Sequence, residues 1–171
     1  MKKKIVILGS TGSIGKCLIN ILKKDKKNFD VILLTANKDT IELFKQVQIF
    51  NVKNIIITNE AKFKSAKKIL KNKDINIYNN FNSIDKIFNK KKIDYTMNAI
   101  SGLAGLKPTL EIIKFTKKIA IANKESIICG WPLINKKLKR YMAEFIPIDS
   151  EHFSIWSLIG SAQDRNIEKM V

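Results

Sequence analysis

The sequence predicts an α/β protein built on a doubly wound, mostly parallel β-sheet, and three observations support this prediction. Short apolar runs of strand length alternate with segments of helical periodicity, which is the pattern of parallel strands joined by crossover helices. The first apolar run leads directly into a glycine-rich turn, Gly9–Gly15. Further polar motifs follow later strands, at the edge where ligands bind in open α/β sheets. We therefore expect a Rossmann-like fold.

The alternation of strands and helices continues along the chain. Strands are predicted where apolar residues run continuously, and helices where they recur at spacings of three and four. The predicted strands are 5–8, 31–34, 55–57, 75–78, 95–100, 119–122 and 145–148, and the predicted helices are 13–24, 40–50, 61–70, 83–89 and 126–141. Pro108 suits the first turn of a further helix. The residues expected on the apolar faces of the first two helices are Ile14, Leu18, Ile21 and Leu22, and then Ile41, Phe44, Val47 and Gln48.

Composition excludes several classes of protein. The chain has 171 residues, of which 45% are hydrophobic and 27% charged, and this describes a globular protein. No apolar run approaches the roughly 20 residues that span a bilayer, and only about four apolar residues separate the basic start from Gly9, too few for a signal peptide. Cys17 and Cys129 lack the spacing of a disulfide framework or a metal pair, and Cys17 is expected to lie where the first helix packs. We therefore expect an intracellular protein that is not bound to a membrane.

The formal charge of +17 raises the alternative of nucleic-acid binding. Arg140 and Arg165 are the only arginines, so the residues that read bases bidentately are nearly absent. No aromatic residues interleave with the lysines as a platform for stacked bases would require. The lysines are instead spread through the predicted helices, and we interpret them as a solvated surface rather than a nucleic-acid site.

The turn Gly9–Gly15 has the chemistry of a phosphate site. Its glycines are spaced GxxGxxG, which lets backbone N–H groups approach a pyrophosphate at the amino end of a helix. Ser10, Thr11 and Ser13 add hydroxyl donors. The alternative is an ordinary glycine-rich connection, but the turn follows a strand and opens a helix, the context that a dinucleotide site requires.

The end of the second strand bears on the choice between NAD and NADP. NAD-specific sites place a carboxylate there to bind the ribose 2′-hydroxyl. Residues 34–38 contain no carboxylate before Asp39, and Lys38 could neutralise a 2′-phosphate. Lys38 could equally be one more surface lysine, but the missing carboxylate favours NADP.

Two further motifs follow predicted strands. Asn123, Lys124 and Glu125 either project into the crevice or simply begin a helix with Glu125 in its favourable first turn, and the residues alone leave both readings open. Asp149 and Glu151 would point to one side if the backbone stayed extended, and two adjacent carboxylates require a cation or a proton. Their hard oxygen ligands suit Mg²⁺ or Mn²⁺, with an exposed acidic turn as the alternative.

Taken together, these motifs resemble the 1-deoxy-D-xylulose 5-phosphate reductoisomerase family. The matching segments are GSTGSIG at 9–15, ANK at 36–38, GLAGLKPTL at 102–110, IANKES at 121–126 and PIDSEH at 147–152. The resemblance implies an NADPH- and divalent-metal-dependent enzyme that rearranges and reduces 1-deoxy-D-xylulose 5-phosphate to 2-C-methyl-D-erythritol 4-phosphate in non-mevalonate isoprenoid biosynthesis. It also implies a homodimer of the full-length form, in the cytoplasm or in an organelle of bacterial origin.

The resemblance assigns roles to residues that match the family's motifs. The implied cofactor contacts are Thr11, Gly12, Ser13, Ile14, Asn37, Lys38, Asp39, Asn123 and Glu125. The implied substrate contacts are Lys124, Ser150 and Glu151, the implied metal ligands are Asp149 and Glu151, and the implied catalytic residues are Lys124, Asp149 and Glu151. Asn37 and Asp39 stand where the family usually has Gly and Asn, so Asp39 adds a negative charge near the 2′-phosphate. Phe153 is bulkier than the residue usual after SEH.

The resemblance also divides the chain. Residues 1–148 correspond to the NADP-binding domain, and residues 149–171 to the beginning of the metal- and substrate-binding catalytic domain. Family members continue beyond the position of Val171 into a glycine-rich phosphate-binding segment, a mobile loop, a further metal carboxylate and a helical domain. The alternative function is therefore a non-catalytic NADP-binding module left by truncation of the enzyme.

Overall fold

The structure is a computed structural model, and it describes residues 1–89, 91–148 and 150–159. Seven strands form one sheet in the order β4-β3-β2-β1-β5-β6-β7, and all six pairings between neighbouring strands are parallel. The strands are β1 (Lys3–Leu8), β2 (Phe29–Ala36), β3 (Asn54–Ile57), β4 (Asn76–Tyr78), β5 (Ile93–Asn98), β6 (Thr116–Ile121) and β7 (Glu144–Pro147). The predicted Rossmann-like architecture is confirmed.

Helices connect the strands and cover both faces of the sheet. They are α1 (Ser13–Lys24), α2 (Thr40–Phe50), α3 (Glu60–Ile69), α4 (Ile84–Phe88), α5 (Leu106–Ile112), α6 (Lys124–Tyr141) and α7 (Ser150–Ile159). Short 3-10 turns lie at Phe81–Ser83, Leu103–Gly105 and Ile113–Phe115. The predicted bounds of α1 and α2 are confirmed, and most other elements shift by a few residues at their ends. Within the described ranges, no helix has the length and hydropathy to cross a bilayer.

The strand pattern supplies a core on each face of the sheet. Ile5 and Ile7 belong to one buried cluster, which also contains apolar residues of α1, α2 and α3. Val6 and Leu8 point the other way and belong to a second cluster, formed with residues of α4, α5 and α6. Because side chains alternate along a strand, a central strand buried on both faces is continuously apolar. This explains the unbroken apolar run before the glycine turn.

The strand order produces a crevice at the carboxyl ends of β1 and β5. From β1 the chain adds β2, β3 and β4 on one side, and then returns to place β5 against the other side of β1. The connections after β1 and β5 therefore leave the sheet in opposite directions. Ligands bind in open α/β sheets at such a switch point, so this is the place to look for a site.

The predicted apolar face of α1 is partly wrong. Ile14 and Ile21 are exposed at 42% and 58% of their surface, whereas Gly15, Ile19 and Leu22 are buried. A side chain at Gly15 would place its Cβ only 2.4 Å from the carbonyl oxygen of Gly9. The helix therefore packs with this glycine against the preceding turn, which rotates Ile14 out of the core. Cys17, also expected to pack, is exposed for the same reason.

The predicted face of α2 is also wrong in part. Ile41 is 73% exposed and Gln48 is exposed, while Leu43, Gln46 and Val47 are buried. Hydropathy does not detect the burial of Gln46, whose side chain donates a hydrogen bond to the carbonyl of Ser10 in the glycine turn. Gln46 is thus buried together with Leu43 and Val47 on the side of α2 that faces the sheet.

The segment after β7 does not stay extended. Helix α7 begins at Ser150, so the alternation assumed for Asp149 and Glu151 does not apply, and this expectation is wrong for the backbone from Ser150 onward. Residues adjacent on a helix project about 100° apart rather than alternating between two sides. Asp149 itself lies outside the described residues.

Candidate dinucleotide site

A cleft of about 420 Å³ opens at the carboxyl ends of β1, β2 and β5. It is lined by Gly9, Thr11, Gly12, Thr35, Ala36, Asn37, Thr58, Phe81, Ala99, Ile100, Ser101 and Ala104. Three residues of the predicted cofactor set, Thr11, Gly12 and Asn37, are among them. The cleft thus joins the glycine turn to the end of β2, the two places where the sequence predicts pyrophosphate and ribose phosphate.

Hydrogen bonds from β2 hold the start of the glycine turn. Gly9 N donates to Thr35 Oγ1 at 2.8 Å, and Ser10 N donates to the Thr35 carbonyl at 2.9 Å. Gly9 has a φ of 77°, and a Cβ there would lie 3.0 Å from the carbonyl oxygen of Ala99 on the neighbouring β5 connection. Only glycine fits this position without strain. The turn is therefore fixed between β2 and the segment after β5.

The amino end of α1 is open to an anion. Gly12 is the N-cap residue and has no side chain that could accept from the first N–H groups, and the first turn contains no acidic residue. Gly12, Ser13 and Ile14 are exposed, and Thr11 is partly so. Unpaired N–H groups and the positive end of the helix dipole favour a phosphate group here. The structure thus brings together the four residues predicted to bind pyrophosphate.

The loop after β2 contains Asn37, Lys38 and Asp39, all exposed. Asp39 is the N-cap of α2, and its Oδ1 accepts a hydrogen bond from Glu42 N at 3.0 Å. Its other oxygen, Oδ2, lies 3.9 Å from Lys16 Nζ, in an exposed pair that contributes little to stability. The carboxylate that departs from the family pattern therefore has a local role in starting α2. Lys16 partly offsets its charge.

The opposite wall of the cleft is held by two buried asparagines. Asn98 Nδ2 donates to the Gly105 carbonyl at 2.9 Å and to Thr109 Oγ1 at 2.6 Å, and its Oδ1 accepts from Ile100 N at 3.1 Å. Asn123 Nδ2 donates to the Ile100 carbonyl at 2.7 Å. Ile100 lines the cleft, so Asn123 is hydrogen-bonded to one of the residues of its wall.

Asn123 begins helix α6, which is one of the two readings that the sequence left open, and projection into the crevice stays a prediction. It is the N-cap of α6, with Lys124 and Glu125 exposed in the first turn, and it does not cap the helix with its own side chain. It is 5% exposed, and its Oδ1 has no hydrogen-bond partner among the described residues. A buried unpaired oxygen is unfavourable, but Asn123 is not itself among the residues that line the cleft. The cofactor role of Asn123 and Glu125 stays a prediction.

Sequence reasoning missed several residues of the cleft. Thr58 follows β3, and Phe81 lies in the 3-10 turn after β4, where the pattern gave little information. Thr35 is buried within a strand and resembles any β-branched residue, although its side chain accepts from the glycine turn. An aromatic ring beside a predicted nucleotide cleft is the one signal that would have singled out Phe81.

The second predicted site is only partly covered. Ser150 and Glu151 lie in the first turn of α7, and Asp149 is outside the described ranges. In the part of the chain that the structure describes, no three His, Cys, Asp or Glu residues form a group that could hold a metal ion. Two carboxylates are also fewer than the roughly six oxygen ligands that Mg²⁺ takes. The metal and substrate roles of these residues and of Lys124 stay predictions.

Comparison with known proteins supports the reading of the motifs. The family model described as 1-deoxy-D-xylulose 5-phosphate reductoisomerase matches residues 5–130. The chain is 60% identical over 169 residues to the Pelagibacter ubique protein of that name, covering 98% of this chain and 44% of that protein. It is 37% identical over 170 residues to the Thermotoga maritima protein, covering 99% of this chain and 42% of that protein. The chain thus spans less than half the length of these relatives.

Solved structures give the same result at the level of the fold. The reductoisomerase of Zymomonas mobilis in complex with NADPH is 30% identical with a TM-score of 0.80, over 89% of this chain and 40% of that one. A DOX-P reductoisomerase in complex with NADPH, fosmidomycin and magnesium is 28% identical with a TM-score of 0.82, over 91% of this chain and 38% of that one. With the family model matching most of its length, this chain belongs to the 1-deoxy-D-xylulose 5-phosphate reductoisomerase family.

Proposed function

We propose that this chain forms the NADPH-binding part of an enzyme that rearranges and reduces 1-deoxy-D-xylulose 5-phosphate to 2-C-methyl-D-erythritol 4-phosphate. The observation that carries the proposal is the uncapped glycine turn opening onto the cleft at the switch point of the sheet. The named activity comes from the family to which the chain belongs. The enzyme acts in non-mevalonate isoprenoid biosynthesis, in the cytoplasm or in an organelle of bacterial origin.

The cofactor we propose is NADPH. Backbone N–H groups of Thr11, Gly12, Ser13 and Ile14 hold the pyrophosphate, and the loop from Asn37 to Asp39 holds the ribose 2′-phosphate. Lys38 supplies the positive charge there, and β2 ends without the carboxylate that binds the 2′-hydroxyl of NAD. Asn123 and Glu125 contact the cofactor on the opposite side of the crevice. When bound, the nicotinamide supplies hydride.

The substrate and metal roles follow the strand and helix ends on the β6–β7 side of the sheet. Lys124, exposed at the start of α6, binds the phosphorylated ketose together with Ser150 and Glu151. Asp149 and Glu151 provide carboxylate oxygens for Mg²⁺ or Mn²⁺, and such an ion acts as a Lewis acid toward substrate oxygens. Other oxygen ligands complete its coordination.

The partners we propose are a small phosphorylated substrate and, for the full-length form, a second copy of the chain. Nucleic acid and membranes are not among them. Several lysines pair with carboxylates on separate parts of the surface, as in the pairs Lys53–Asp74, Lys64–Glu60, Lys118–Glu144 and Lys117–Asp94. Scattered pairs of this kind fit a solvated surface better than one basic binding face. A gel shift with duplex DNA at physiological salt is expected to show no complex.

The test of the proposed reaction follows the absorbance of NADPH in the presence of the ketose phosphate and Mg²⁺ or Mn²⁺. A form of the protein extended to the length of its relatives is expected to oxidise NADPH, and Lys124→Ala is expected to stop it. NADPH that binds but is never oxidised by the extended form would favour the alternative function, a non-catalytic NADP-binding module.

A further inference from the structure

Gln46 is a buried polar residue that no proposed role explains. It lies on α2 with no exposed surface, between the apolar residues Leu43 and Val47. Its Nε2 donates to the carbonyl oxygen of Ser10 at 3.1 Å and to Glu42 Oε1 at 2.9 Å. Its Oε1 has no hydrogen-bond partner among the described residues. A leucine or methionine would fill this position without an unpaired oxygen, so the two donor bonds account for the amide.

The Ser10 carbonyl belongs to the same peptide unit as the N–H of Thr11. In a trans peptide these two groups point in opposite directions. A bond that draws the carbonyl toward α2 therefore turns the Thr11 N–H away from α2. Thr11 itself lines the cleft, so the orientation of this one peptide decides whether a donor faces a ligand there.

Among the N–H groups of Ser10, Thr11 and Gly12, that of Thr11 is the one without a hydrogen-bond acceptor in the described part of the chain. Ser10 N donates to the Thr35 carbonyl at 2.9 Å, and Gly12 N donates to the Gly9 carbonyl at 3.2 Å. Between them, Thr11 N has no acceptor within the described part of the chain. Two satisfied N–H groups therefore flank an unsatisfied one at the mouth of the cleft.

We infer that Gln46 is a positioning residue that aims the Thr11 N–H at the cofactor's pyrophosphate. Glu42 fixes the amide, because both of its contacts are acceptors and only the NH₂ end of the side chain satisfies them. The inference rests on the proposed function, since it requires a dinucleotide in the cleft. Helix α2 then has two roles: it carries the cap residue Asp39, and it orients a peptide of the phosphate-binding turn.

The test compares Gln46→Met with a control on the same helix, Gln48→Met, whose side chain is exposed. Two probes are titrated by NMR: ADP-ribose, which contains the pyrophosphate, and adenosine 2′-monophosphate, which does not. Gln46→Met is expected to weaken ADP-ribose about tenfold, the effect of losing one well-made hydrogen bond. Its affinity for adenosine 2′-monophosphate is expected to stay within about twofold of the unsubstituted chain. Gln48→Met is expected to change neither affinity.

Three results would overturn the inference. The first is unchanged ADP-ribose affinity in Gln46→Met. The second is equal weakening of both probes, which indicates a general loss of structure. The third is a Thr11 amide signal that ADP-ribose does not move in the unsubstituted chain. The last measurement needs no substitution, so it can still overturn the inference if Gln46→Met fails to fold. If the unsubstituted chain binds no ADP-ribose at all, the proposed function fails too. If the unsubstituted chain binds ADP-ribose but Gln46→Met does not weaken that binding selectively, the inference about Gln46 fails and the proposed function stands.

Discussion

The turn between β1 and α1 and the turn between β7 and α7 lie at the same edge of the sheet but are built differently. The first contains three glycines and is held by Thr35 and by the buried Gln46, so its donors are main-chain N–H groups. The second has no glycine, and its sequence contains the carboxylate residues Asp149 and Glu151. The β1–α1 and β2–α2 connections therefore contain all the main-chain donors that the proposed phosphate site needs. A metal site needs more carboxylates than the second turn contains. We therefore expect a substitution in one turn to impair the role of that turn and to leave the role of the other turn unchanged.

The largest effect is expected from the proposed substrate and metal residues in the second turn and at the start of α6. In the form extended to the length of the relatives, Asp149→Asn and Lys124→Ala are each expected to lower turnover by a factor on the order of 1,000, because charge stabilisation at the reacting atoms is lost. NADPH affinity is expected to stay within about twofold, since neither side chain is a proposed cofactor contact. Steady-state kinetics and calorimetric titration measure the two quantities. A loss of NADPH affinity in Asp149→Asn would show that the turns are not independent.

The next largest effect is expected at the first turn. In Gly15→Val, the new Cβ would lie 2.4 Å from Gly9 O and 2.6 Å from Ser10 Cα, and neither backbone atom can move freely. We expect a loss of about 3 kcal/mol in the free energy of unfolding and no measurable NADPH binding. Thermal unfolding and titration check this.

The matched control is Gly12→Ala, because its Cβ would lie 3.5 Å from Gly9 O, an ordinary contact. The Gly12→Ala protein should fold normally and still bind NADPH more weakly, since the methyl group stands where the pyrophosphate approaches. A stable Gly15→Val protein with unchanged affinity would refute the packing argument.

A smaller effect is expected from Lys38→Ala. Removing this charge from the loop after β2 is expected to weaken NADPH about tenfold and to leave NADH unchanged, because only NADPH has the 2′-phosphate. Titrations at two salt concentrations check the electrostatic cause, since the difference should shrink as salt increases. Lys26→Ala, another exposed lysine, serves as the control. Equal weakening of both cofactors would place Lys38 away from the 2′-phosphate.

The smallest effect is expected from Asp39→Asn. Asparagine caps a helix about as well as aspartate, so the bond to Glu42 N is retained while the negative charge is removed. NADPH affinity is expected to rise about twofold to threefold, with little change in NADH affinity or in stability. Competition titration resolves a change of this size. A fall in NADPH affinity would mean that the carboxylate orders the loop rather than opposing the phosphate.

Much of the fold follows from the sequence because it depends on local patterns. Continuous apolar runs such as Ile5–Leu8 mark strands buried on both faces, and three spaced glycines after one of them mark the cofactor turn. The buried faces of the first two helices were less predictable. Gly15 has no side chain for hydropathy to rank, and Gln46 is polar but buried, so neither residue was expected on a buried face.

The candidate site was predictable to a similar degree. Thr11, Gly12 and Asn37 line the cleft as the motifs indicated, but Phe81 and Thr58 reach it from segments with no motif of their own. Their position depends on how β3 and β4 stack beside β2, which is a property of the whole sheet. The extended backbone assumed around Glu151 was wrong because a helix starts at Ser150, and the sequence signal for it was the pair Asp149 and Ser150, both residue types favoured at N-caps.

The most direct test of the account is calorimetric titration of the unsubstituted 171-residue chain with NADPH and with NADH in the absence of divalent metal. The account predicts that NADPH binds at one site, at least about tenfold more tightly than NADH, because the first turn and the loop after β2 need nothing from the second turn. Equal affinity for the two cofactors, or no binding of either, would contradict it.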